Sequence, residues 1–259
     1  MPQGKNQYEQ YLDKTYVSKE HFLVTPLTEK RTATIFYQTY YPNESIRTDK
    51  KRHLLYVHGM NSYGGRMASF VEDKFLKRGF TVSLMDLPGF GRSDGKCHGL
   101  VYSFQDLVLG VNRVVSHLRD SHAENDRIDY LIAYGTSMGA QILIRYQVQF
   151  EQSHGIDAFI LGSPFLQQIA RKVPPLPILW MLRLLSYVFP SMPFLPRKPL
   201  VFPKDPEMEK MYRSDPFIYN GGMRLGTAFA VLDALKDLPG IVEKFRGCPF
   251  LIQMGEKDT

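Results

Sequence analysis

The chain has 259 residues, a formal charge of +6 from 32 Lys and Arg against 26 Asp and Glu, and ordinary shares of hydrophobic (44%) and charged (22%) residues, which excludes a disordered polypeptide and leaves room for one sizeable core. The positive charges are dispersed, so they either aid solubility or favour an anionic membrane surface; no basic run, aromatic box or zinc-ligand spacing points to nucleic acid or to a metal. Two cysteines, Cys97 and Cys248, make no disulfide framework, and the first ten residues lack the apolar stretch of a secretory signal, so a cytoplasmic protein is expected, peripheral to membranes at most.

In chain order, Glu20 to Val24 and Thr32 to Tyr40 alternate apolar and polar residues, which predicts a hairpin at a sheet edge. Apolar runs at 53–57, 80–86, 129–134 and 157–162 predict strands. Helical stretches near 65–78, 103–120 and 138–150 separate them in the rhythm of a mostly parallel, doubly wound α/β sheet. Ligands of such sheets bind beyond the carboxyl ends of the strands. The rhythm breaks after Leu161-Gly162-Ser163-Pro164.

Between Pro174 and Pro206 stand nine of the chain's 17 prolines, which argues against a long regular helix or a central strand there. Residues from about 164 to 215 are therefore the expected cap insertion of a single domain whose core is 20–163 and 216–259. Within it Ile178 to Phe189 is apolar nearly all round, yet shorter than the roughly 20 residues of a bilayer span. Three readings stay open for this patch, which holds the only tryptophan: packing onto the core, lining a lipid pocket, or lying against a membrane. Trp180, Leu184 and Leu185 are its candidate substrate-binding residues. Helical spacing returns over 223–235, and Gly247-Cys248-Pro249 leads into a last strand at 250–254.

The sharpest motif is Gly135-Thr136-Ser137-Met138-Gly139, directly after the apolar run 130–134 and directly before a helix-prone stretch. This is the strand, tight turn and helix context in which a serine hydroxyl is pushed outward from a nucleophile elbow. The pentapeptide alone is weak evidence, but two other segments agree with it. The strand at 53–57 runs into His58-Gly59-Met60, and the strand at 81–85 runs into the turn Asp86-Leu87-Pro88-Gly89-Phe90-Gly91-Arg92-Ser93.

With these motifs in this order, and with Tyr212-Arg213-Ser214-Asp215-Pro216 and the closing residues 249–258, the chain resembles α/β-hydrolases of the monoacylglycerol lipase and lysophospholipase type, also described as serine-aminopeptidase-like. The resemblance runs from about residue 20 to the end. It implies Ser137 as nucleophile, Asp258 as the acid after the last strand, and the backbone N–H groups of Met60 and Met138 as oxyanion donors. His58 is expected to shape its loop. No cofactor or metal is implied; the expected partner is a lipid ester, and the cap favours a lipid over a peptide.

One component is missing from this pattern. All seven histidines precede Asp258, whereas the resemblance places the general base after it. The expected fold therefore lacks a final strand and helix, and the 259-residue polypeptide is expected to be weakly active or inactive. A fragment or shortened product of an active hydrolase is one reading, and an uncovered apolar strand edge favours it. The alternative is a non-catalytic acyl-ligand binder. Oligomeric state is open.

Overall fold

The computed structural model describes residues 7–8, 12, 16–28, 31–93, 97–121, 127–151, 155–167, 175–195 and 206–256. Strands β1 (Val17–Thr28) and β2 (Arg31–Tyr41) form the expected antiparallel hairpin, with Phe22 opposite Phe36 and Leu23 opposite Ile35. β2 then pairs antiparallel with β4 (Thr81–Met85). From there the sheet is parallel through β3 (Arg52–Val57), β5 (Tyr130–Thr136), β6 (Ala158–Gly162) and β9 (Phe250–Gln253), giving the order β1-β2-β4-β3-β5-β6-β9. A two-stranded ribbon joins β7 (Pro193–Leu195) to β8 (Met223–Arg224).

The central strands read as unbroken apolar runs because both of their faces are covered. Alternate residues divide accordingly. Leu55, Val57, Met85, Ala133 and Phe159 enter one core with α2 (Phe104–Ser121), α3 (Met138–Gln149) and α6 (Leu225–Val242). Leu54, Tyr56, Val82, Leu84 and Tyr134 enter another with α1 (Ala68–Lys74) and with Tyr212 and Phe217. Tyr212 lies in α5 (Pro206–Ser214). Cys97 and Cys248 are half-buried free thiols.

Two expectations need correction. The single helix expected near 65–78 is three short pieces, a 3-10 turn at Gly64–Met67, α1, and a second 3-10 turn at Leu76–Arg78. Phe75 leaves helical geometry at φ −125°, and Gly79, at φ +78°, ends the last turn in the left-handed conformation. Proline density also misled in the cap: α4 (Leu176–Val188) is a regular helix of 13 residues. Pro175 caps it and Pro177 occupies its first turn, where a missing N–H breaks no bond, and the next eleven residues hold no proline.

Helix α4 packs on α6 through a small cluster of Leu182, Leu225 and Phe229, and Arg183 reaches Asp233 at 2.7 Å. Its other face is apolar and exposed. No helix among the described residues is long and apolar enough to cross a membrane.

Candidate active site

Ser137 stands between the end of β5 and the first residue of α3, with φ, ψ of +53°, −116°. An L-residue rarely adopts this conformation, and here it turns strand into helix within one residue and leaves Ser137 exposed. The surroundings hold it there. Its N–H donates to Gly162 O at 2.8 Å, and its carbonyl accepts from the N–H groups of Ala140 (3.1 Å), Gln141 (3.3 Å) and Phe165 (3.2 Å). The hydroxyl makes no cap bond to α3 and has no hydrogen-bond partner among the described residues.

The two outer glycines are needed for close approach. A Cβ on Gly135 would lie 2.6 Å from the Gly139 carbonyl, and a Cβ on Gly139 would lie 2.2 Å from Val57 O and 2.7 Å from His58 O. A side chain at Gly139 would push the elbow off the end of β3, and one at Gly135 would push the start of α3 away from β5.

Close approach also brings the loop after β3 to the serine. A Cβ built on Gly59 would stand 3.2 Å from the Ser137 Cβ and 3.7 Å from its Oγ. The Met60 peptide thus follows immediately from a residue touching the elbow, while Met138 is the first residue of α3. Neither amide donates to a backbone carbonyl among the described residues.

His58 shapes this loop. Its ring is fully buried, Nδ1–H donates to Gly59 O at 2.7 Å, and Nε2 accepts the Leu87 N–H at 2.9 Å. A carbonyl can only accept and an N–H can only donate, so the ring is neutral with its proton on Nδ1. Burial pushes its pKa down to about 4. Both nitrogens are committed, so His58 is no proton shuttle.

Sequence reasoning missed Asp86 and the residues knitted to it. Its buried carboxyl accepts from Gly64 N–H (Oδ1, 2.8 Å) and Arg92 N–H (Oδ2, 2.7 Å), joining the end of the Met60 loop to the turn after β4. Ser93 Oγ–H donates to Asp86 O at 2.5 Å and accepts the Phe36 N–H at 2.8 Å, tying the same turn to β2. Tyr63 O–H donates to Asp215 Oδ2 at 2.8 Å, and Asp215 Oδ1 accepts the Phe217 N–H at 2.9 Å, which couples this loop to the exit of the cap. Burial raises the Asp86 pKa to about 7 against the two backbone N–H bonds that lower it. The signal was present as the first residue of the Asp86 to Ser93 turn, but its partners lie far away in sequence.

The remaining site candidates divide. Asp258 lies outside the described residues, as do His122 and His154. Trp180 and Leu184 are 69% and 65% exposed, whereas Leu185 packs into the cluster between α4 and α6. Three other histidines are engaged elsewhere. His53 Nε2 meets Ser83 Oγ at 2.8 Å, His117 Nδ1 meets the Tyr37 hydroxyl at 2.6 Å, and His21 stacks on the Tyr37 ring at 4.4 Å. His98, whose Nε2 is buried without a hydrogen-bond partner among the described residues, packs edge-on against Tyr219.

Comparison with known proteins agrees with this geometry. The sequence pattern of the family described as serine aminopeptidase, S33 matches residues 48–259. A monoacylglycerol lipase of Mycolicibacterium smegmatis is 25% identical over 224 residues, 86% of this chain and 75% of that protein. Among solved structures, the monoacylglycerol lipase of Paleococcus ferrophilus superposes with a TM-score of 0.66 at 20% identity, over 85% of this chain and 77% of that one. A soluble variant of the monoglyceride lipase of Saccharomyces cerevisiae, solved with a substrate analogue, gives 0.66 at 20% identity, over 95% of this chain and 78% of that one.

Proposed function

Because the chain belongs to the serine aminopeptidase S33 family and has the α/β-hydrolase fold, we propose that it is a serine hydrolase cleaving the carboxylic ester of a monoacylglycerol or lysophospholipid through an acyl-serine intermediate. The observation that carries this reading is the exposed Ser137 hydroxyl, without a hydrogen-bond partner among the described residues, on a strained turn beside the loop of Gly59 and Met60. Ser137 Oγ attacks the ester carbonyl carbon and loses its proton to a base. The carbonyl oxygen becomes an oxyanion that accepts from the N–H groups of Met60 and Met138, donors worth about 3 to 4 kcal/mol each. Collapse expels the alcohol, and water then releases the fatty acid from Ser137.

Asp258 is the proposed acid that orients the base. The base itself is the component that the described histidines do not supply, so turnover by this 259-residue polypeptide is expected to be slow. Loss of a triad member costs on the order of a million-fold in kcat, with about a thousand-fold over water remaining from the oxyanion donors and binding. A lipid ester fits the apolar stripe of Leu176, Trp180, Leu184 and Val188 along the exposed face of α4, which would meet a lipid surface. The name of the Mycolicibacterium relative supports the same substrate class.

The unpartnered hydroxyl also favours a second reading, a binder that holds an acyl ligand without turnover. Monooleoylglycerol, p-nitrophenyl butyrate and an aminoacyl p-nitroanilide, offered in parallel to the protein and to Ser137→Ala, separate these. The proposal expects slow, Ser137-dependent release from both esters and none from the anilide. Saturable binding of monooleoylglycerol with no release favours the binder, and cleavage of the anilide alone would contradict the ester assignment.

A further inference from the structure

At the end of the sheet opposite Ser137, the first residues of β3 and β4 and the last of β2 surround a cavity of about 190 Å³. Its lining includes Arg47, Thr48, Lys50, Lys51 and Arg52 and, among the described residues, no Asp or Glu. Four basic residues thus line one concave space in a chain whose basic residues are otherwise dispersed, with the Lys50 ammonium over the Tyr130 ring at 5.6 Å. Of the nearby carboxylates, Asp129 accepts the Lys51 backbone N–H at 2.7 Å, and Asp49, between Thr48 and Lys50 in the chain, is not part of the lining.

Arg52 is the fixed element of this cluster. Its guanidinium lies over the Phe80 ring at 4.6 Å, and Nη2 donates to Arg78 O at 3.0 Å and to Thr48 Oγ1 at 3.4 Å. Its Nε is buried with no hydrogen-bond partner among the described residues. A buried donor left unmade is costly, and a planar guanidinium held by stacking presents its remaining N–H edge in a set direction. Arg47 is anchored at the rim, with Nε donating to Pro42 O at 3.4 Å, and carries no carboxylate partner among the described residues.

We propose that this cavity binds a phosphate-type oxyanion, carried either by a free phosphorylated molecule or by a phosphorylated lipid headgroup. Planar N–H donors on Arg52 and Arg47 match phosphate oxygens, and the lysines add charge at the mouth. The site shares no residue with the Ser137 elbow and does not depend on the hydrolase assignment.

The test uses the intact protein, with inorganic pyrophosphate in a calorimetric titration. In parallel, phosphatidylcholine vesicles with and without phosphatidylinositol phosphate are used in sedimentation. Binding to pyrophosphate should weaken about tenfold or more in Arg47→Gln and in Arg52→Gln, should fall with added salt, and should be unchanged in Ser137→Ala. Because Arg52 also braces Arg78 and Phe80, Arg47→Gln and Lys50→Gln at exposed positions read the site if Arg52→Gln does not fold. Sedimentation only with the phosphorylated lipid, lost in the same variants, assigns the headgroup source; pyrophosphate binding alone assigns the free one. Binding to neither, or binding that these substitutions leave unaltered, overturns the proposal.

Discussion

Ser137→Gly is expected to give a more stable protein than Ser137→Ala, although both delete the same hydroxyl. At φ +53°, ψ −116° a residue with a Cβ is strained by about 1 to 3 kcal/mol, and glycine is not. Glycine loses roughly 0.5 to 1 kcal/mol more in backbone entropy on folding, so the net gain over alanine is about 1 kcal/mol. The elbow is held in place by the Gly162, Ala140, Gln141 and Phe165 backbone bonds, which both variants keep. Urea denaturation checks this as a higher midpoint for Ser137→Gly with an unchanged slope. An alanine variant as stable as the glycine one would mean that the turn stores no strain, removing the physical argument that the fold pays to thrust Ser137 outward.

The second expected effect is on the pH dependence of stability, through Asp86. Its folded pKa of about 7 lies above the ordinary carboxyl value, so between those limits the folded state binds more proton than the unfolded one. Its stabilising contribution is therefore full below about 4 and is lost as pH rises through about 7. A shift of that size corresponds to an upper bound on the order of 4 kcal/mol. His58, with its pKa depressed to about 4, has the opposite slope, contributing stability that is lost as pH falls.

Asp86→Asn isolates the first of these, because His58 is common to both proteins and cancels in the difference. Asparagine has one acceptor for the two N–H groups of Gly64 and Arg92, so it costs about 1 to 3 kcal/mol through the bond it cannot make. The stability gap between wild type and Asp86→Asn should therefore be widest near pH 4 and narrow toward pH 7 as the wild-type carboxyl ionises. A gap that widens with rising pH would show that the carboxylate is favoured in the fold, contrary to its burial.

Local pattern explains what was legible in the sequence. The elbow could be read because its strand, its two glycines and its helix are contiguous, and the hairpin could be read because Thr32-Ala33-Thr34-Ile35 alternates by twos, with Ala33 and Ile35 buried. The parallel strands showed as unbroken apolar runs. What escaped depended on contacts distant in sequence or on exact positions within a turn. Asp86 matters through Gly64 and Ser93 through Phe36, which no spacing rule connects. In the cap, counting prolines obscured α4, since Pro175 and Pro177 sit where a helix tolerates them. The exposure of Trp180 and Leu184 and the packing of Leu185 follow from which face of α4 meets α6, and a helix apolar all round does not disclose that face.

The most direct measurement is the site of covalent modification by an alkyl fluorophosphonate, mapped by peptide mass spectrometry after long incubation. Ser163 serves as an internal control, being another exposed serine at positive φ (+42°) at the end of the neighbouring strand β6. The account predicts a single, slowly formed adduct on Ser137 that is absent in Ser137→Ala. An adduct on Ser163 or any other residue, or no adduct at all, would contradict it.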